Sequence, residues 1–166
     1  MDLTPVWLGM MEAGVIRELL SDVAWGELDL LLFDLPPGAA ADKPPAIANL
    51  IPELEGAIVV TTPSVVALDV VRRSILYARD LGIHILGLVE NMGSAVCPRC
   101  AGPVEISDGK AQALAEEMGV PLLARVPRDA DLARSLDTGT PLPCSHPVSG
   151  VFLDLAERLA TKPAAV

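Results

Sequence analysis

Short, almost unbroken apolar runs alternate with stretches of helical periodicity along this sequence. That alternation limits its fold more than any other feature. The runs are residues 28–33, 57–62, 83–90 and 120–126. A strand with one wet face alternates apolar and polar residues, whereas these runs are apolar at nearly every position and suit a sheet covered on both faces. Between them, Val15, Ile16, Leu19, Leu20 and Val23 recur at helical spacing and predict a helix over 11–23. Further helices are expected at 46–54, interrupted at Pro52, and at 65–81, with Ser64 as N-cap and Gly82 as stop. The remaining three are expected at 110–118, closed by Gly119, at 129–136 and at 151–159. Residues 93–107 read as a loop. Strand–helix alternation of this kind specifies an α/β fold with a parallel sheet covered on both faces. Residues 1–160 read as a single α/β domain and 161–166 as a disordered tail.

Composition narrows the setting. The chain has 166 residues, 51% hydrophobic but only 3% aromatic, so its core must be aliphatic. A formal net charge of -10 at pH 7 argues against nucleic acid as a partner, because such binding needs clustered Lys and Arg. It argues equally against an anionic membrane surface. No apolar run approaches the roughly 20 residues of a membrane helix. Three cysteines, an odd count, suit a reducing, cytoplasmic compartment better than a disulfide framework.

Two features carry chemistry. Cys97-Pro98-Arg99-Cys100 places two thiols three positions apart just after the third apolar run. Such a pair can hold a metal ion or the edge of an iron–sulfur cluster, or can act as a redox couple. Cys144 and His146 offer a route to a structural zinc site of Cys₃His type, which would make the chain a non-enzymatic, zinc-stabilised interaction module. His84 reads as a packed strand residue. The second feature is a rim. In open parallel sheets, ligands bind beyond the carboxyl ends of the strands. There the sequence sets Asp34-Leu35-Pro36-Pro37-Gly38, Thr61-Thr62-Pro63, Asn91 and Pro127-Arg128-Asp129. A carboxylate such as Asp34 can hold magnesium, Gly38 lets the backbone approach a phosphate, and the Asn91 carboxamide can pair with a purine edge. No GxxxxGK[ST] phosphate loop occurs in the sequence.

Taken in order, these segments resemble the Mrp (ApbC-like) family of iron–sulfur cluster carrier ATPases, within the MinD/ParA-like group of P-loop NTPases. The matching stretches are Trp25-Gly26-Glu27-Leu28-Asp29, the DLPPG of 34–38, the VTTPS of 60–64, Glu90-Asn91-Met92, the CPRC of 97–100, and the span from Val126-Pro127 to Asp137-Thr138-Gly139-Thr140-Pro141. The resemblance implies that Asp34 is a catalytic carboxylate near magnesium. It also implies that Gly38, Asn91 and Pro127 contact ATP, and that Cys97 and Cys100 are metal ligands. In such proteins each subunit of a homodimer gives two thiolates to a bridging [4Fe-4S] cluster, which is passed to apo iron–sulfur proteins under the control of ATP hydrolysis. The family also carries a strand, a GKGGVGKS-like loop and a helix upstream of the matching stretches. By this resemblance the sequence reads as the C-terminal portion of such a protein, a partial doubly wound parallel sheet of the MinD-like P-loop NTPase type: a fragment, a split subunit or a truncated gene model, with the phosphate loop supplied by another segment or chain. It departs from the family pattern at Gly38-Ala39-Ala40-Ala41-Asp42 and at Trp7-Leu8-Gly9-Met10.

Overall fold

The computed structural model describes residues 9–35, 43–51, 53–97, 99–100 and 102–160. Gly38 and the tail 161–166 lie outside the described residues. In chain order the elements are α1 (Gly9–Asp22), α2 (Lys43–Leu50), β1 (Ala57–Thr61), α3 (Val65–Asp80), β2 (Ile85–Val96), β3 (Pro103–Glu105), α4 (Lys110–Met118), β4 (Leu122–Arg128), α5 (Ala130–Thr138) and α6 (Pro147–Ala160).

The central strand is β2. It pairs in parallel with β1 on one side and β4 on the other, and its far end pairs antiparallel with β3. The parallel part is the expected α/β sheet, and each face has its own core. Leu88 faces a cluster with Leu68, Val71 and Ile75 of α3 and Ala111, Leu114 and Ala115 of α4. Its neighbour Val89 faces the opposite cluster, with Leu123, Val126 and Val148 and, packed beside them, Leu155 and Leu159 of α6. Successive residues of one strand thus feed opposite layers, which is why these runs lack polar alternation. Between β2 and β4 the backbones approach closely at Gly87, where a Cβ would lie 2.7 Å from the Pro121 carbonyl oxygen. Polar ties reinforce this packing: Arg72 Nε and Nη2 each donate to the Glu117 carboxylate at 2.8 Å, joining α3 to α4 within one layer, and Arg158 Nη1 of α6 donates to Leu123 O of β4 at 3.0 Å.

Three sequence expectations need correction. Residues 28–33 are not a strand; they form no ladder, and Leu28, Leu30 and Leu32 are exposed. An apolar run becomes a strand only where a neighbour supplies hydrogen bonds, and among the described residues none does. The expected loop 93–107 is largely a β-hairpin: β2 runs on to Val96 and returns as β3. His84 is exposed rather than packed, because β2 begins one residue after it. Ser64 does occupy the N-cap position of α3, but its side chain makes no capping bond.

Candidate functional site

The sequence builds the cysteine site by extending β2 past the body of the sheet. Met92 takes a left-handed backbone, φ 62°, unusual for a residue with a Cβ. The register between β2 and β4 slips between Asn91 and Ala95. This bulge re-aims the strand, so that its last residues pair with β3. Ser94, Ala95 and Val96 lie opposite Glu105, Val104 and Pro103, and the Cys97 N–H donates to Gly102 O at 2.8 Å. Cys97 and Cys100 therefore sit at the tip of a hairpin, Cys97 half-buried and Cys100 exposed, neither in a disulfide.

That turn favours thiolate. The Cys97 thiol is pushed below its ordinary range first by the backbone N–H of Cys100, then by the backbone N–H of Arg99 and the Cys100 side chain, with desolvation opposing. Soft metals and iron–sulfur clusters are bound by thiolate, so lowering the thiol pKa prepares the ligand. The rival sites fare worse. A redox pair of thioredoxin type belongs at a helix N-terminus, and here the pair is at a hairpin tip with α4 starting only at Lys110. A Cys₃His zinc site is not assembled. Among the described residues, the one group of three or more potential ligands within 4.8 Å is Asp129, Asp131 and His146, without any cysteine. Within that group Asp129 is engaged as the N-cap of α5, accepting from Leu132 N at 2.8 Å.

The nucleotide rim is partly gathered. Thr61 pairs with Glu90, and Asn91 pairs with Val126, next to Pro127. Thr61, Asn91 and Pro127 thus lie on three adjacent strands at the carboxyl end of the sheet, Thr61 buried and the other two half-buried. Asn91 lies within β2 rather than after it, and Pro127 within β4. Asp34 is exposed and joined to none of them by the sheet. A carboxamide beside a proline suits a purine edge and face. For the phosphates the sequence has no P-loop to act as a cradle.

Glu90, the first residue of the Glu90-Asn91-Met92 stretch, has no role assigned by the sequence motifs. Glu90 is fully buried, 0% exposed, where the sheet passes into the hairpin. The signal available was an acidic residue ending an apolar run, which is rarely buried without a partner.

A parallel α/β sheet with helices on both faces, and a central strand that runs on toward a thiol pair, defines a MinD-like P-loop NTPase fold. The MinD protein of Pyrococcus horikoshii, solved with Mg-ADP, superposes with a TM-score of 0.65 over 93% of this chain and 57% of its own, at 24% identity, which speaks to fold alone. A nucleotide-binding protein from Archaeoglobus fulgidus in complex with ADP matches with a TM-score of 0.67 and 38% identity over 79% of this chain and 54% of that one. The family described as ParA, the NUBPL iron-transfer P-loop NTPases, matches residues 2–160, and the chain belongs to it. Among its relatives, the iron–sulfur cluster carrier protein of Saccharolobus solfataricus is 43% identical over 163 residues, covering 95% of this chain and 55% of the relative. The cytosolic Fe-S cluster assembly factor NUBP2 of Bos taurus is 42% identical over 149 residues, covering 89% and 55% respectively. The chain spans about half the length of these relatives. No helix among the described residues is long and apolar enough to cross a membrane.

Proposed function

We propose that this chain is the cluster-bearing portion of a cytoplasmic iron–sulfur carrier. Two copies bring their hairpin tips together, and Cys97 and Cys100 of each supply four thiolates to one [4Fe-4S] cluster, the usual count for such a cluster. The cluster is cargo, handed on to apo iron–sulfur proteins. The observation that carries this reading is the free Cys97–Cys100 pair at the tip of an extended hairpin, with the Cys97 thiol pushed toward thiolate. Membership of the iron-transfer family and relatives named as cluster carriers support it.

Residues 1–160 form one α/β unit, the C-terminal portion of a P-loop NTPase domain. Asn91 and Pro127 hold the adenine, and Asp34 sits near magnesium. The phosphate loop comes from the rest of the protein or from another chain, and ATP binding and hydrolysis belong to the complete assembly. Serine at Cys97 or Cys100 should abolish retention of iron and sulfide, whereas Cys144→Ser should leave it intact. Iron and sulfide retained by both hairpin variants would remove the assignment.

A further inference from the structure

Glu90 is the buried polar residue that neither the thiol pair nor the rim explains. Its backbone lies in the parallel sheet, paired with Thr61 on one side and Arg125 on the other. Its side chain reaches instead to the base of the hairpin. Ser107 Oγ, just beyond the returning strand, donates to Glu90 Oε1 at 2.5 Å and also accepts from Gly109 N, ahead of α4, at 3.3 Å. Gly93 lies over the carboxyl group: a Cβ there would be 2.7 Å from Oε2. The Gly93 carbonyl accepts from Ser107 N at 2.7 Å and Ile106 N at 2.9 Å, closing the hairpin at the same place. Oε2 has no hydrogen bond and faces Arg125 Nε at 3.4 Å.

A buried carboxyl group costs free energy to desolvate, and it is kept only where its partners hold it. Here both arms of the hairpin meet that one group: Gly93 on the outgoing arm by contact, Ser107 on the returning arm by hydrogen bond. Just before Gly93 the chain carries the left-handed Met92, and the register with β4 slips between Asn91 and Ala95, so the hairpin departs from the sheet at this point.

We infer that Glu90 is a positioning residue that latches the base of the Cys97–Cys100 hairpin to the sheet, through Ser107 and Gly93, and so fixes where the two thiols are presented. The geometry stands without the carrier reading; its consequence for cluster transfer rests on that reading.

The test uses the full-length protein, free of cluster, with Glu90→Leu, Ser107→Ala and Glu90→Gln. The glutamine keeps an acceptor for Ser107 at nearly the same size. Well below every melting midpoint, amide exchange at Ile106 and Ser107 should rise about tenfold in E90L and S107A, as loss of one buried hydrogen bond implies. Alkylation of Cys97 by iodoacetamide should change severalfold in the same two variants, and E90Q should restore most of both. Unchanged exchange and alkylation in E90L and S107A, with only the midpoint lowered, would make Glu90 a core residue and no latch. E90Q behaving like E90L would overturn the hydrogen bond to Ser107 as its basis. Because these readouts need no cluster, they decide the latch separately from whether the wild type retains iron.

Discussion

Gly93→Ala should destabilise the full-length protein by about 2 kcal/mol, and the cause should be a single neighbour. The added Cβ would meet Glu90 Oε2 at 2.7 Å, Cδ at 2.8 Å and Cγ at 3.1 Å. Such approaches are too short for van der Waals contact, so one side must yield. If Glu90 stays, the region is overpacked, at a cost of about 1–3 kcal/mol. If Glu90 turns away, it leaves Ser107 Oγ and buries an unpaired group, which costs about 1–3 kcal/mol as well. The two routes are alternatives, so their costs do not add. For a domain of about 150–250 residues such a change lowers the melting midpoint by roughly 4–8 °C, and by less in a longer chain. Urea denaturation of wild type, Gly93→Ala, Glu90→Ala and the double variant forms the decisive cycle. Once Glu90 is shortened, the alanine at 93 has nothing to strike, and its penalty should largely vanish. Strictly additive effects would show that the strain at Gly93 does not come from Glu90 and would undo the packing argument at the hairpin base.

Four further outcomes are expected. The Cys97 thiol sits below its ordinary range, so its alkylation should gain its thiolate-dependent rate at lower pH than a free cysteine, whose pKa is about 8.5. Cys100→Ala removes one of the groups responsible and should move that profile up; an unmoved profile would leave the cause to the backbone alone. Ile75→Ala, at a fully buried site of the α3–α4 face, should cost about 2–5 kcal/mol by urea titration, and a change under 1 kcal/mol would deny it the core. Asp129→Ala removes the side-chain cap of α5 and should cost about 0.5–2 kcal/mol in the same assay, with no loss at all contradicting the cap. On the proposed reading, Asp34→Ala in the complete protein should depress ATP hydrolysis with the fold intact by circular dichroism, and unchanged turnover would remove the role proposed for it.

What the sequence revealed depended on whether the signal was local. The runs 57–62 and 83–90 both appear as strands: β1 ends within a residue of its expected bounds, while β2 starts at Ile85, is covered on both faces at Leu88 and Val89, and runs on to Val96. Gly119 ends α4 in a left-handed conformation, as its position after the helical pattern indicated. The run 28–33 carries the same apolar signal but lacks a ladder, which hydropathy alone cannot register. The hairpin was missed for the opposite reason. Residues 93–107 hold glycine, proline and polar residues that suit a loop, and their short antiparallel pairing is set by backbone geometry at Met92 rather than by apolar periodicity. The thiol pair and Asn91 were visible as motifs, and the sheet register then set Asn91 beside the end of β4. Glu90 was hidden because a carboxylate at a strand end ordinarily reads as solvated; only the closing of the hairpin buries it.

The most direct measurement is anaerobic reconstitution of the full-length protein with iron and sulfide, followed by iron, sulfide and zinc analysis of the dimer fraction beside Cys97→Ser. The account predicts about four iron and four sulfide per dimer with a broad absorption band near 400 nm, and neither in the serine variant. About one zinc per chain without sulfide, or iron and sulfide held equally well by Cys97→Ser, would contradict it.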